Sequence, residues 1–128
     1  MELRTHILAS KHLVGEVVEQ KEGFAKAVLK TTEEMRVDEK GLVHGSFTFG
    51  VADLAAMAAV NEPNVVLARA EAIFLKPVKV GDTIIAEAQI AKQSRSKYIV
   101  EVVAHNGSSE VLKATMECFV LEKHVLDK

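Results

Sequence analysis

Cysteine, proline, long apolar runs and an excess of one charge are all missing or scarce in this chain, and each scarcity excludes something. A single cysteine, Cys118, excludes an internal disulfide. The two prolines, Pro63 and Pro77, fall between expected elements, and no Pro/Gly/Ser-rich linker, low-complexity tract or internal repeat divides the chain. The longest apolar stretch, around Asp53, is too short for a bilayer and carries a charge at its middle, so no membrane partner is expected. Lys and Arg number 16 against 18 Asp and Glu, a formal net charge of −2, and no basic block is long enough for a nucleic-acid stripe. His6, His12, His44, His105 and His124 include no pair at i, i+4, which leaves no helical metal motif. The opening Met-Glu-Leu-Arg-Thr-His lacks a basic region followed by an apolar stretch, so a reducing cytoplasm is the expected compartment. The 128 residues are read as one domain, 1–128, large enough to bury about two thirds of its unfolded surface.

What is present is one acid in apolar company. From Phe47 to Val60 the only charge is Asp53, and a helix over about residues 45 to 60 would be apolar nearly all round, which suits a core. A carboxylate there is costly unless something uses it. Just upstream, His44-Gly45 falls at the helix start, where unbonded backbone N–H groups meet an anion or a polarised carbonyl. Acid and amides together suggest acyl chemistry.

Around this helix the pattern is of strands. Residues 14 to 20 and 24 to 34 read as extended segments about a Lys21-Glu22-Gly23 turn. Four β-like runs follow the helix, at 65 to 75, 82 to 93, 97 to 105 and 110 to 122, with Asn106-Gly107 turning between the last two. In the last run Leu112, Ala114, Met116, Cys118 and Val120 alternate with the residues between them, so Cys118 reads as core packing. In the 97 to 105 run both faces are mostly apolar, as in a central strand. One apolar helix and a long antiparallel sheet bury each other if the sheet curls around the helix, an α+β fold.

This order of elements, with His-Gly opening the helix and an acid inside it, resembles the hotdog-fold acyl-CoA thioesterases over roughly residues 14 to 122. The sharpest part resembles the phenylacetic-acid-pathway type, Asn-x-x-Gly-x-x-His-Gly-Gly followed by Leu-Ala-Asp, which Gly41, His44, Gly45, Ala52 and Asp53 match in spacing. Phe74-Leu75-Lys76-Pro77-Val78-Lys79-Val80-Gly81-Asp82 is similar to the link between the first two strands after the helix. Asp38 stands where that type has Asn, Ser46 where it has the second Gly, and Leu67 where several relatives have Ser or Thr. The resemblance implies a long antiparallel sheet wrapped around one central helix, dimers or dimers of dimers, and acyl-CoA as substrate, with coenzyme A part of the substrate and no separate cofactor. An enoyl-CoA hydratase of the same fold is disfavoured, because no Asn-Pro precedes Val43-His44-Gly45.

In a thioesterase the backbone N–H of Gly45, with or without that of Ser46, would donate to the thioester oxygen. Asp53 would act as general base on water or attack the carbonyl directly. Its bland reading is a buried acid paired with Thr48 or Arg69. His44 either places the carbonyl or holds the turn. Asp38, Gly41 and Ser46 are candidates for shaping the substrate loop, Asp38 more as a solvated acid and Gly41 as a backbone turn. Arg69, with Lys76, Lys79, Arg95 and Lys97, is a candidate cation for coenzyme A phosphates. Gly45 and Asp53 are eight residues apart, about 12 Å along a helix, so one carbonyl cannot touch both within one chain. A site using both lies between two copies. The alternative is a protein that binds or senses acyl-CoA without cleaving it.

Overall fold

The computed structural model describes residues 2 to 127. Two strands, β1 (Glu16–Lys21) and β2 (Phe24–Lys30), precede the helix α1 (Gly45–Val60). Then come β3 (Val65–Phe74), β4 (Thr83–Ser94), β5 (Lys97–His105) and β6 (Glu110–Val120). All six strands form one antiparallel sheet in the order β1-β2-β4-β5-β6-β3, so β1 and β3 are its edges. The helix bounds and the four later strands agree with the sequence reading to within a few residues.

Period-two patterning explains the inner face. Ala25, Ala27 and Leu29 of β2, Ile84, Ala86 and Ala88 of β4, Val100, Val102 and Ala104 of β5, and Leu112, Ala114, Met116 and Cys118 of β6 are all buried. They meet α1, where every residue from Val51 to Val60 except Asp53 is buried. Alanine predominates on both sides of this contact, which lets the helix lie close in the concave sheet. In β5 the outer face is only half-covered, with Glu101 exposed, so its second apolar face is not core. This is the hotdog arrangement, α+β, with one central helix.

The second segment ends earlier than its sequence suggests. β2 stops at Lys30, and Glu33–Met35 form a 3₁₀ turn rather than strand. Thr31 is captured by the 79 to 82 loop: its N–H donates to the Asp82 carbonyl at 3.0 Å and its hydroxyl to the same oxygen at 2.6 Å. The chain then turns to bury Met35, whose carbonyl accepts the His44 N–H at 2.9 Å. Those bonds set where α1 begins.

Candidate functional site at the start and middle of the central helix

The loop before α1 is built by its own polar groups. Asp38 Oδ1 accepts the N–H groups of Lys40 (3.0 Å) and Leu42 (3.2 Å), and Gly41 closes the turn at φ 86°, a conformation that favours glycine. Asp38 is exposed and acts here as a loop organiser. From Gly41 on, the loop is bonded to the segment after β3: Val43 N–H donates to the Val78 carbonyl and Val80 N–H to that of Gly41. Lys76 and Lys79 lie on that segment, exposed and in none of the ion pairs among the described residues.

His44 caps α1. Its Nδ1 accepts the Ser46 N–H at 3.0 Å, which assigns the ring proton to Nε2. The cap occupies the Ser46 amide, whereas the Gly45 N–H has no partner among the described residues. His44, Gly45 and Ser46 are all exposed. Gly45 is therefore the available donor, at the positive end of the helix dipole.

Two turns further on, Asp53 is partly buried, and its Oδ1 is shielded from solvent with no hydrogen-bond partner among the described residues. Burial raises its pKa above the ordinary carboxylate value, and the charge of His6 opposes that rise. Neither partner considered from sequence pairs with it. Thr48 is buried, and among the described residues it does not bond Asp53 Oδ1. Arg69 lies on the outer face of β3, bonded to Glu117 (3.1 Å) and Glu71 (3.3 Å). Lys97 joins the same cluster, and its bonds with those of Arg69 outweigh desolvation to hold Glu117 below its usual pKa. The structure thus brings Asp38, Gly41, His44, Gly45 and Ser46 together at one end of α1, with Asp53 farther along the helix and Arg69 on the opposite sheet face.

Cys118 faces α1 from β6, and burial followed by the neighbouring Asp53 charge pushes its thiol up to about 12. It is a core residue and a poor nucleophile. No group of three or more His, Cys, Asp or Glu among the described residues is arranged to hold a metal, and no helix there is long and apolar enough to cross a membrane.

Two neighbours of the site have no sequence signal that places them there. Phe74, at the end of β3, puts its ring beside Gly45: a Cβ on Gly45 would stand 3.4 Å from Phe74 Cε2. His6 comes from a segment without periodicity. That segment is strapped over the end of α1, where Arg4 N–H donates to Asn61 Oδ1 (2.7 Å) and Asn61 Nδ2 to the Glu2 carbonyl (2.9 Å). His6 itself has φ 56°, uncommon for a residue with a side chain, and its Nδ1 is bonded to the Thr5 hydroxyl at 2.8 Å. An unusual φ leaves no mark in composition.

Comparison with known proteins places this geometry in context. A family model, the thioesterase superfamily, matches residues 40 to 113, from the loop before α1 into β6. An uncharacterised protein of Pyrococcus horikoshii is 57% identical, with a TM-score of 0.98 over 99% of this chain and 98% of that one. The PaaI protein of the E. coli phenylacetic acid degradation operon is 25% identical, with a TM-score of 0.74 over 81% of each chain. Among curated relatives, an Aquifex aeolicus protein named methylthioribose-1-phosphate isomerase is 49% identical over 88% of this chain, which spans 25% of that protein's length. The transcription factor FapR of Caldanaerobacter subterraneus is 27% identical over 91% of this chain, which spans 58% of that protein.

Proposed function

Because the chain belongs to the thioesterase superfamily, we propose that it hydrolyses an acyl-CoA or acyl-carrier thioester at a site shared between two copies. The observation that carries this reading is that, among the described residues, the shielded carboxylate oxygen Oδ1 of Asp53 has no partner and neither does the N–H of Gly45, the first residue of the same apolar helix. Their separation is too large for one thioester. Two copies related by a two-fold axis, with β3 edges paired and α1 helices antiparallel, would bring Gly45 of one copy toward the partner's Asp53. The edge position of β3 suits that pairing.

In this arrangement the Gly45 N–H receives the carbonyl oxygen as it becomes negative. The partner's Asp53 takes a proton from water, whose oxygen adds to the carbonyl carbon; the C–S bond then breaks and the proton passes to the departing thiolate. Direct attack by the carboxylate, followed by hydrolysis of the anhydride, uses the same two groups. His44 holds the turn through Nδ1, which leaves its Nε2–H unused by the cap and available to help place the carbonyl. Asp38, Gly41 and Ser46 shape the loop the substrate passes. Lys76 and Lys79 are better placed than Arg69 to meet coenzyme A phosphates, since Arg69 is already held by two carboxylates. The chemistry requires no metal and no redox cofactor.

A second reading is favoured by the likeness to a transcription factor over most of the chain: a hotdog module that binds acyl-CoA as a signal without turnover. Asp38, Ser46 and Leu67, which depart from the thioesterase motif, are compatible with it. Thiol release from acetyl-, hexanoyl- and decanoyl-CoA by wild type and Asp53→Asn separates the two. Hydrolysis predicts release with at least one substrate and a fall of about 100-fold or more in the variant. Binding of acyl-CoA without Asp53-dependent release leaves the sensor.

A further inference from the structure

On the inner face of β3 small residues give way to a large one at the end of the strand. Ala70 and Ala72 pack against the core, and the next residue on that face is Phe74. Its ring lies against Gly45, with Cδ2 and Cζ at 3.8 Å and Cε2 at 3.4 Å from where a Gly45 Cβ would be. Despite that contact Phe74 remains 54% exposed. A phenyl ring so exposed leaves much of its apolar area in water until something covers it. It is also held beside the Gly45 amide, which has no partner among the described residues.

We propose that Phe74 is a specificity-determining residue of the thioester site, its ring forming the apolar wall for the first carbons of the acyl chain beyond the carbonyl. The inference rests on the reading that Gly45 receives the thioester oxygen. The carbonyl carbon then lies within a few ångströms of the ring, with sulfur on one side and the acyl chain on the other. The pantetheine arm is rich in amides and needs hydrogen-bonding partners, which the Phe74 ring cannot supply. A hydrocarbon chain needs only apolar cover. The favoured substrates are therefore thioesters of apolar chains of several carbons, in preference to acetyl or carboxylated acyl groups.

The test uses Phe74→Ala and Phe74→Leu in the full chain, with thermal melts to establish that both fold. kcat/KM is measured for acetyl-, hexanoyl- and decanoyl-CoA, and Kd by calorimetry for the corresponding non-hydrolysable thioether analogues. The decanoyl-to-acetyl ratio is expected to fall about 10-fold in Phe74→Ala, with Phe74→Leu recovering most of it. A uniform loss across the three chain lengths puts the ring against the pantetheine arm and overturns the proposal, as does an unchanged ratio. Should the wild type bind the analogues with a Phe74-dependent ratio but release no thiol, the hydrolase reading fails and this one stands. If Asp53-dependent hydrolysis persists with no change in ratio, this one alone fails. A wild type that neither cleaves nor binds any of the three overturns both.

Discussion

Asp53 is where stability and function pull apart. Its pKa is raised in the fold by burial, so the folded state binds the proton more tightly than the unfolded chain does. Any stability from that group is present below its unfolded pKa and lost as pH rises through the folded one. At neutral pH, Asp53→Asn therefore should melt at the same temperature as wild type or higher, while thiol release collapses. A large fall in melting temperature would instead assign Asp53 a structural role. The base must be ionised to act, so the acid limb of kcat/KM should lie above the ordinary carboxylate range. Because the His6 charge lowers the Asp53 pKa, His6→Gln should move that limb to still higher pH. A limb displaced downward, or one that does not respond to His6→Gln, would contradict this account.

At the scale of elements, the sequence is most readable where one physical cause dominates. The α1 helix declares itself because apolar residues run unbroken around Asp53, and β6 because Leu112, Ala114, Met116 and Cys118 alternate with exposed or half-covered partners. Where tertiary bonds decide, the pattern misleads: the extended segment read over 24 to 34 stops at Lys30, because the capture of Thr31 by Asp82 bends the chain and the Glu-rich stretch after it, poor in strand formers, becomes a 3₁₀ turn. The candidate site divides the same way. Gly41, His44, Gly45 and Asp53 can be read from spacing, whereas Phe74 reaches Gly45 and His6 bears on Asp53 only through the path of the folded backbone. The Arg69 side chain could not be oriented at all, since a bulge between Leu67 and Arg69 shifts the alternation that would have placed it. The packing of helix on sheet has its own test. Leu112 is fully buried on the inner face of β6, so Leu112→Ala should cost about 2–5 kcal/mol in denaturant unfolding, with the cavity left in a close-packed core setting the upper end. A cost below about 1 kcal/mol would mean that the interior relaxes around the loss.

The whole molecule poses the question of how many chains make a site, and Gly45 offers a clean way to ask it. Gly45 is the first residue of α1, the helical position where proline is best tolerated, and His44 before it is already extended at φ −61° and ψ 134°. Gly45→Pro thus should delete the donor N–H while leaving the helix in place, at the expense of some pressure on the Phe74 ring. Asp53→Asn deletes the base and keeps the donor. Each variant alone should be inactive as an assembly of identical chains. In a heterodimer of the two, one site combines the intact Gly45 of the Asp53→Asn chain with the intact Asp53 of the Gly45→Pro chain, while the other site has lost both groups. Mixing equal amounts after unfolding and refolding together should restore about a quarter of wild-type activity, since half of random dimers are mixed and each has one working site of two. If instead both groups acted within one chain, no mixture would recover anything, because no single chain carries the pair. Sedimentation of the refolded mixture separates that outcome from a failure to assemble: dimers without activity would overturn the site shared between copies.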